Sequence, residues 1–130
     1  MMLVPTYLDK SAIHGIGIFA SDFIPKGTRV WQFTPDFDQV FPDAALASLP
    51  AVQRDPILFY GYIEPGIDGI VLCCDNARHF NFSEDPNCGS GDHVLLGYIS
   101  TFALRDIAAG EEMTYAVEED ADADRKLGLG

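Results

Sequence analysis

Apolar residues along this chain come in short runs cut by glycine or proline, and few of the runs keep a helical period. Residues 3–9 read as a short edge strand. In Ser11–Ala20 glycines alternate with apolar residues, which predicts a tight backbone followed by a strand. Pro25-Lys26-Gly27-Thr28 is a turn with Pro and Gly where turns need them. Arg29–Phe33 reads as a strand, although alternation does not decide which of Val30, Gln32 and the later Val40 face inward. The stretch from Pro35 to Pro56 is the least β-like. Pro42-Asp43 followed by Ala44–Leu49 predicts a helix, and Asp55-Pro56 predicts the start of another. Strand patterns then return. Tyr60–Ile63 and Gly69–Cys73 form a predicted hairpin around Glu64–Asp68, which puts Tyr60 and Tyr62 on one strand face. Val94–Ile99 and Thr101–Leu104 are further apolar runs, and Asp106–Glu112 turns into a strand over Met113–Val117. The pattern predicts one compact all-β domain over residues 1–117, with a small helical insert near 36–59. Residues 118–130 are acidic, then Gly-rich, and read as a flexible tail.

Composition narrows the class. The 130 residues suit one domain, and 48% hydrophobic against 22% charged content allows a sizeable core. No apolar run approaches the length of a membrane span. Met1–Tyr7 lacks the basic and long apolar regions of a secretory leader. Three cysteines, two of them adjacent at Cys73 and Cys74, make no disulfide framework, and no Cys/His spacing suits zinc. The expectation is an intracellular, cytoplasmic protein without a metal. A net charge of −12 repels nucleic acid and attracts a basic partner, such as a Lys-rich protein or peptide.

The chemistry concentrates in Asp75–Cys88. This stretch is dense in Asn, Asp, Ser and Pro, yet carries aromatics and lies between apolar runs. Arg78-His79-Phe80-Asn81-Phe82-Ser83 with Pro86-Asn87 lines up with two other pieces: Gly15-Ile16-Gly17-Ile18-Phe19-Ala20 and Ala109-Gly110-Glu111-Glu112-Met113-Thr114-Tyr115. In this order and spacing the chain resembles the SET domain of protein-lysine methyltransferases, over roughly residues 3–117. That family shows a GxG turn, an R-x-x-N-H-S-x-x-P-N segment and a G-E-E-L-T-x-x-Y strand.

The resemblance implies a β-clip, or SET, fold: small curved sheets with a knot-like crossing of the C-terminal strand beneath the central loop. It implies transfer of a methyl from S-adenosylmethionine to a lysine of a basic protein, through a narrow channel. Backbone at Ile16 and Gly17, with Arg78, Asn81 and Phe82, is implied to hold the cofactor. Tyr60 and Tyr115 are implied to line the lysine channel as catalytic residues. Such a displacement needs no metal. An apolar aromatic channel favours the neutral amine, and in-line positioning supplies much of the rate.

The sequence departs from the family pattern at two positions. Asn-His-Ser reads Asn81-Phe82-Ser83, which keeps backbone contacts but lacks the imidazole. The last tyrosine of the third motif falls at Val117; Tyr115, about 6–7 Å before it on the same strand face, is left to present a hydroxyl. These departures leave a second function open, a catalytically weak or inactive SET-fold module that binds cofactor or a basic peptide. No Cys-rich segment follows residue 117, so the tail, or a second subunit in a homodimer, is expected to close the channel.

Overall fold

The computed structural model describes residues 1–63, 68–90 and 100–116. The expected strand at 94–99, most of the turn at 64–68, Val117 and the tail lie outside them. The described elements are β1 (Thr6–Lys10), β2 (Ile16–Ala20), β3 (Arg29–Gln32), β4 (Gln39–Phe41), α1 (Asp43–Ala47), α2 (Ala51–Tyr60), β5 (Ile70–Leu72), a 3₁₀ turn (Asn76–His79), β6 (Asn81–Ser83), β7 (Cys88–Gly89), β8 (Ser100–Ala103) and β9 (Glu112–Ala116). They form three small sheets, ordered β1-β2-β9-β6, β3-β8-β7 and β4-β5.

The first sheet builds the site. β1 and β2 are antiparallel from Thr6 opposite Ala20 to Lys10 opposite Ile16, and β1 is an edge strand, as its pattern predicts. Their connecting turn closes with Ser11 N donating to Gly15 O at 2.8 Å. Gly15 has φ +50°, a backbone region that favours glycine. β9 lies between β2 and β6. It is antiparallel to the first and parallel to the second, with Asn81 opposite Thr114 and Phe82 opposite Tyr115. The C-terminal strand is thereby held inside the sheet by two segments distant from it in sequence.

The core gathers Ile18 and Ala20 of β2, Val30 and Trp31 of β3, Cys88, Ala103, Ile107 and Met113. Val30 and Trp31 are both buried because the β3–β8 register shifts between Arg29 and Trp31. Simple alternation could not order this strand; Gln32 is half-buried and Val40 exposed. Among the described residues, no helix is long and apolar enough to cross a membrane.

The insert departs from expectation in two ways. It contains a strand, β4, which pairs antiparallel with β5 from Gln39 opposite Leu72 to Phe41 opposite Ile70. Its second helix begins at Ala51 after Pro50, not at Asp55, and runs through Pro56 to Tyr60. No residue of α2 is fully buried, so water can satisfy the carbonyl deprived of a donor by Pro56.

The predicted strand Tyr60–Ile63 is therefore corrected. Tyr60 ends α2, and Gly61 caps it, its N–H bonding Ile57 O at 2.8 Å. Only Tyr62 pairs with β5, through two bonds of 2.9 Å with Val71. A Cβ at Gly61 would collide with the Ile70 side chain and come within 2.6 Å of Ile57 O. This close crossing requires glycine and turns the chain, so Tyr60 and Tyr62 do not share a strand face.

Candidate active site

Besides the β6–β9 pairing, one buried side chain fastens the central loop to β9. Asn87 is 1% exposed. Its Oδ1 accepts from Thr114 N at 2.8 Å, and its Nδ2 donates to Glu112 O at 2.8 Å and to Glu111 Oε2 at 3.2 Å. Its own N–H donates to Thr114 Oγ1 at 3.2 Å. The carboxamide thus serves backbone groups on both sides of Met113, as a neighbouring strand would. Asn87 belongs to the second motif and β9 to the third, so this clamp joins them.

Beside the clamp opens a cleft of about 400 Å³. Ile13, His14, Gly15 and Ile16 of the β1–β2 turn form one wall. Arg78, His79, Phe80, Asn81 and Phe82 form the other, and Phe59 and Tyr60 at the end of α2 complete the rim. Ile13, Ile16 and Phe59 are each about half exposed, which gives the rim an apolar character. Five residues singled out from the sequence meet here: Ile16, Tyr60, Arg78, Asn81 and Phe82. Gly17 and Tyr115 are not among the lining.

The position of each has a local cause. The 3₁₀ turn begins with Asp75, whose carboxylate accepts from Ala77 N at 3.1 Å. That turn brings Arg78 back over β5, where its Nε and Nη2 donate to Cys73 O at 3.0 and 2.8 Å. Among the described residues, Nη1 of Arg78 has no acceptor. Tyr60 meets His79 edge-on at 5.4 Å, and Phe59 meets Tyr60 at 4.9 Å. Tyr62 instead packs against Trp31 at 6.2 Å. Phe80 lines the cleft and also meets the Tyr115 ring edge-on, at 6.2 Å and 67°. Tyr115 thus reaches the site through Phe80.

Asn81 and Gly17 both meet other parts of the protein closely. The Asn81 amide nitrogen is engaged within the protein, donating to His14 O at 3.0 Å, Ile16 O at 3.2 Å and Glu112 Oε2 at 3.0 Å. Gly17 is buried beneath Glu112. A Cβ there would strike the Glu112 carboxylate and lie 3.1 Å from Ser11 Cβ. Glycine at 17 therefore makes room for a carboxylate of the third motif.

Several residues here went unassigned in the sequence. His79 stood beside Arg78 in an aromatic run, which was its only signal. Asn87 and Glu112 were visible as motif letters without a role. Ser11 and Ile13 carried no signal, because a turn becomes a wall only once β6 is placed against it.

Burial, and then the Arg78 guanidinium, lower the His79 pKa below its ordinary value. The neutral imidazole is the form the fold prefers. Above pH about 6.5 both folded and unfolded chains hold it neutral. As pH falls through that value, the unfolded chain takes up a proton that the folded chain resists, so stability is lost toward acid pH. Between pH 7.5 and 5.5 the wild-type urea midpoint is expected to fall more than that of His79→Gln. Equal falls in the two proteins would remove His79 from this account. Cys88, buried beneath β9, has its thiol pushed up to about 12 and stays protonated.

Comparisons with known proteins bear on this arrangement. The SET-domain family model matches residues 15–116. A Plasmodium falciparum (isolate 3D7) protein provisionally named histone-lysine N-methyltransferase 1 is 28% identical over 134 aligned residues. The match covers 92% of this chain, which spans only 2% of that protein's length. A solved structure of a Plasmodium falciparum protein provisionally named a histone methyltransferase has TM-score 0.62 at 18% identity, over 88% of this chain and 94% of that one. Chaetomium thermophilum Polycomb Repressive Complex 2 bound to GSK126 has a chain with TM-score 0.67 at 21% identity, over 96% of this chain and 17% of that one. At these identities the structural likeness shows the fold.

Proposed function

This chain belongs to the SET-domain family, and we propose that it is a protein-lysine N-methyltransferase that uses S-adenosylmethionine and acts on a lysine of a basic protein. The observation that carries the proposal is the cleft itself: motif segments 65 residues apart in sequence supply its two walls. Its donor set suits the cofactor. Apolar Ile13, Ile16 and Phe59 suit a flat nucleoside end, and the Nη1 of Arg78 suits a carboxylate. Ile16, Arg78 and Phe82 would hold the cofactor, with Asn81 and Gly17 shaping the wall. When bound, the cofactor supplies the methyl group.

The chain's own residues then act on the amine. Phe80 and Tyr115, which meet edge-on, with Tyr60 at the rim, would give the amine an aromatic setting that favours neutral lysine over ammonium. Their rings hold its approach, and positioning lowers the barrier without a general base on the protein. The acidic surface draws in the basic substrate and raises the encounter rate at low salt.

The Phe82 and Val117 departures favour a second reading, a module that binds cofactor or a basic peptide without turnover. Two measurements separate the readings. Calorimetric titration of S-adenosylmethionine into the purified chain is expected to give one-site binding; no heat at millimolar cofactor sinks the proposal. A lysine-rich peptide array with labelled methyl donor is expected to show transfer, and binding without transfer leaves the silent module.

A further inference from the structure

One carboxylate lies outside the cleft yet is tied to both of its walls, to one directly at Asn81 and to the other through Ser11. Ser11 Oγ accepts from Ile13 N at 2.9 Å and His14 N at 3.2 Å. Those two bonds occupy its lone pairs, so its hydroxyl hydrogen must be donated, and both Glu112 oxygens receive it, at 2.8 and 2.9 Å. From the other wall, Asn81 Nδ2 donates to Glu112 Oε2 at 3.0 Å. The same amide nitrogen also reaches His14 O and Ile16 O, so its two hydrogens are shared among three acceptors. Glu112 therefore faces donors from two sides. A side chain that accepts at both oxygens and donates nothing satisfies both, as a carboxylate does. The bare Cα of Gly17 leaves room for that carboxylate.

We propose that Glu112 is a positioning residue that buckles residues 11–16 to residues 78–82 and so sets the width of the cofactor cleft. It acts through Ser11 and Asn81 and touches neither substrate nor cofactor. Asn81 serves the cofactor as the tongue of this buckle; its amide nitrogen is not a direct ligand. The functional consequence rests on the reading of the cleft as the S-adenosylmethionine site, whereas the buckle stands on geometry alone.

Glu112→Gln tests both levels. A glutamine with its oxygen at the Oε2 position still accepts from Ser11 and Asn81, but it removes the charge and sets an NH2 against Ser11 Oγ, whose lone pairs Ile13 N and His14 N already occupy. In the full chain, the dissociation constant for S-adenosylmethionine is expected to rise about tenfold or more, the usual effect of losing a charge-assisted bond. The loss is expected in the KM for cofactor rather than in kcat. A change below about threefold overturns the functional proposal. Asn81→Asp sets two carboxylates against each other and is expected to weaken binding similarly. Adding Glu112→Gln to it restores a donor–acceptor pair and is expected to recover part of the affinity. No recovery points to direct contact by Asn81 and overturns its assignment.

Hydrogen exchange supplies a readout that needs no cofactor. Glu112→Gln is expected to speed exchange of the Ile13 and His14 amides, which bond to Ser11, and to leave Ala103 N in the β3–β8 sheet protected. Unchanged exchange at 13 and 14 overturns the buckle itself. If exchange quickens but even the wild type binds no S-adenosylmethionine, the buckle stands and the cofactor reading fails.

Discussion

Asn87→Ala is expected to destabilise the protein by about 3 kcal/mol, the loss expected when buried polar groups are left without partners. The carboxamide serves the Thr114 N–H and the Glu112 carbonyl in a setting where Asn87 is 1% exposed, so water does not replace it at no cost. For a chain of this length that corresponds to a fall in melting temperature of roughly 12 °C. Asn87→Asp is a sharper test. Aspartate can still accept from Thr114 N, but it turns an anion toward the Glu112 carbonyl and the Glu111 carboxylate, which lies 3.2 Å from the present Nδ2. It is expected to be no better than alanine, although it is nearly the same size. Urea unfolding of the three proteins measures this. A loss below about 1 kcal/mol in both variants would show that the loop holds β9 by other means. Cofactor binding is expected to fail with the clamp, because β9 carries Glu112, which bonds to Asn81 and Ser11, and Tyr115, which packs on the cleft residue Phe80.

Much of this architecture was legible in the chain. Glycine and proline mark the turns, and the apolar runs between them became β1, β2, β3, β8 and β9. Their order was carried by three motifs that made sense only together. The misreadings have physical causes. Leu58-Phe59-Tyr60 is apolar in a way that fits strand or helix, and the helix begun after Pro50 ran on to the Gly61 crossing. β4 is three residues long, and pairing with β5 stabilises it more than its own period does. The site was legible as a set of letters rather than as roles. Arg78 and Asn81 were visible as candidates, but Asn81's amide partners lie at His14, Ile16 and Glu112. No local pattern announces a bond made across 65 residues. Glu112 and Gly17 belong to one contact, and each looked like an ordinary motif letter until the strands were laid side by side.

Tyr115→Phe is expected to lower kcat about 100-fold while leaving the dissociation constant for S-adenosylmethionine within about threefold. The substitution removes only the hydroxyl. The ring keeps its place in β9 opposite Phe82, and its edge-on contact with Phe80 at 6.2 Å. Folding and cleft shape should therefore survive, and a loss of rate can be assigned to the oxygen. The expectation is large because the last tyrosine of the third motif is absent: Val117 occupies that position and offers no hydroxyl. If Tyr115 supplies the missing oxygen, restoring a second one should rescue the damaged enzyme. Tyr115→Phe combined with Val117→Tyr is expected to regain much of the lost rate, whereas Val117→Tyr alone should gain little. If instead the site is silent because its tyrosine is missing, the pattern reverses: Tyr115→Phe changes nothing and Val117→Tyr alone creates activity. Single-turnover methylation of a lysine-rich peptide at saturating cofactor distinguishes the two patterns, because it reads the transfer step separately from binding. An unchanged rate in Tyr115→Phe, with an active wild type, would remove Tyr115 from the catalytic residues and leave Tyr60, which meets His79 at the cleft rim, as the hydroxyl to test next.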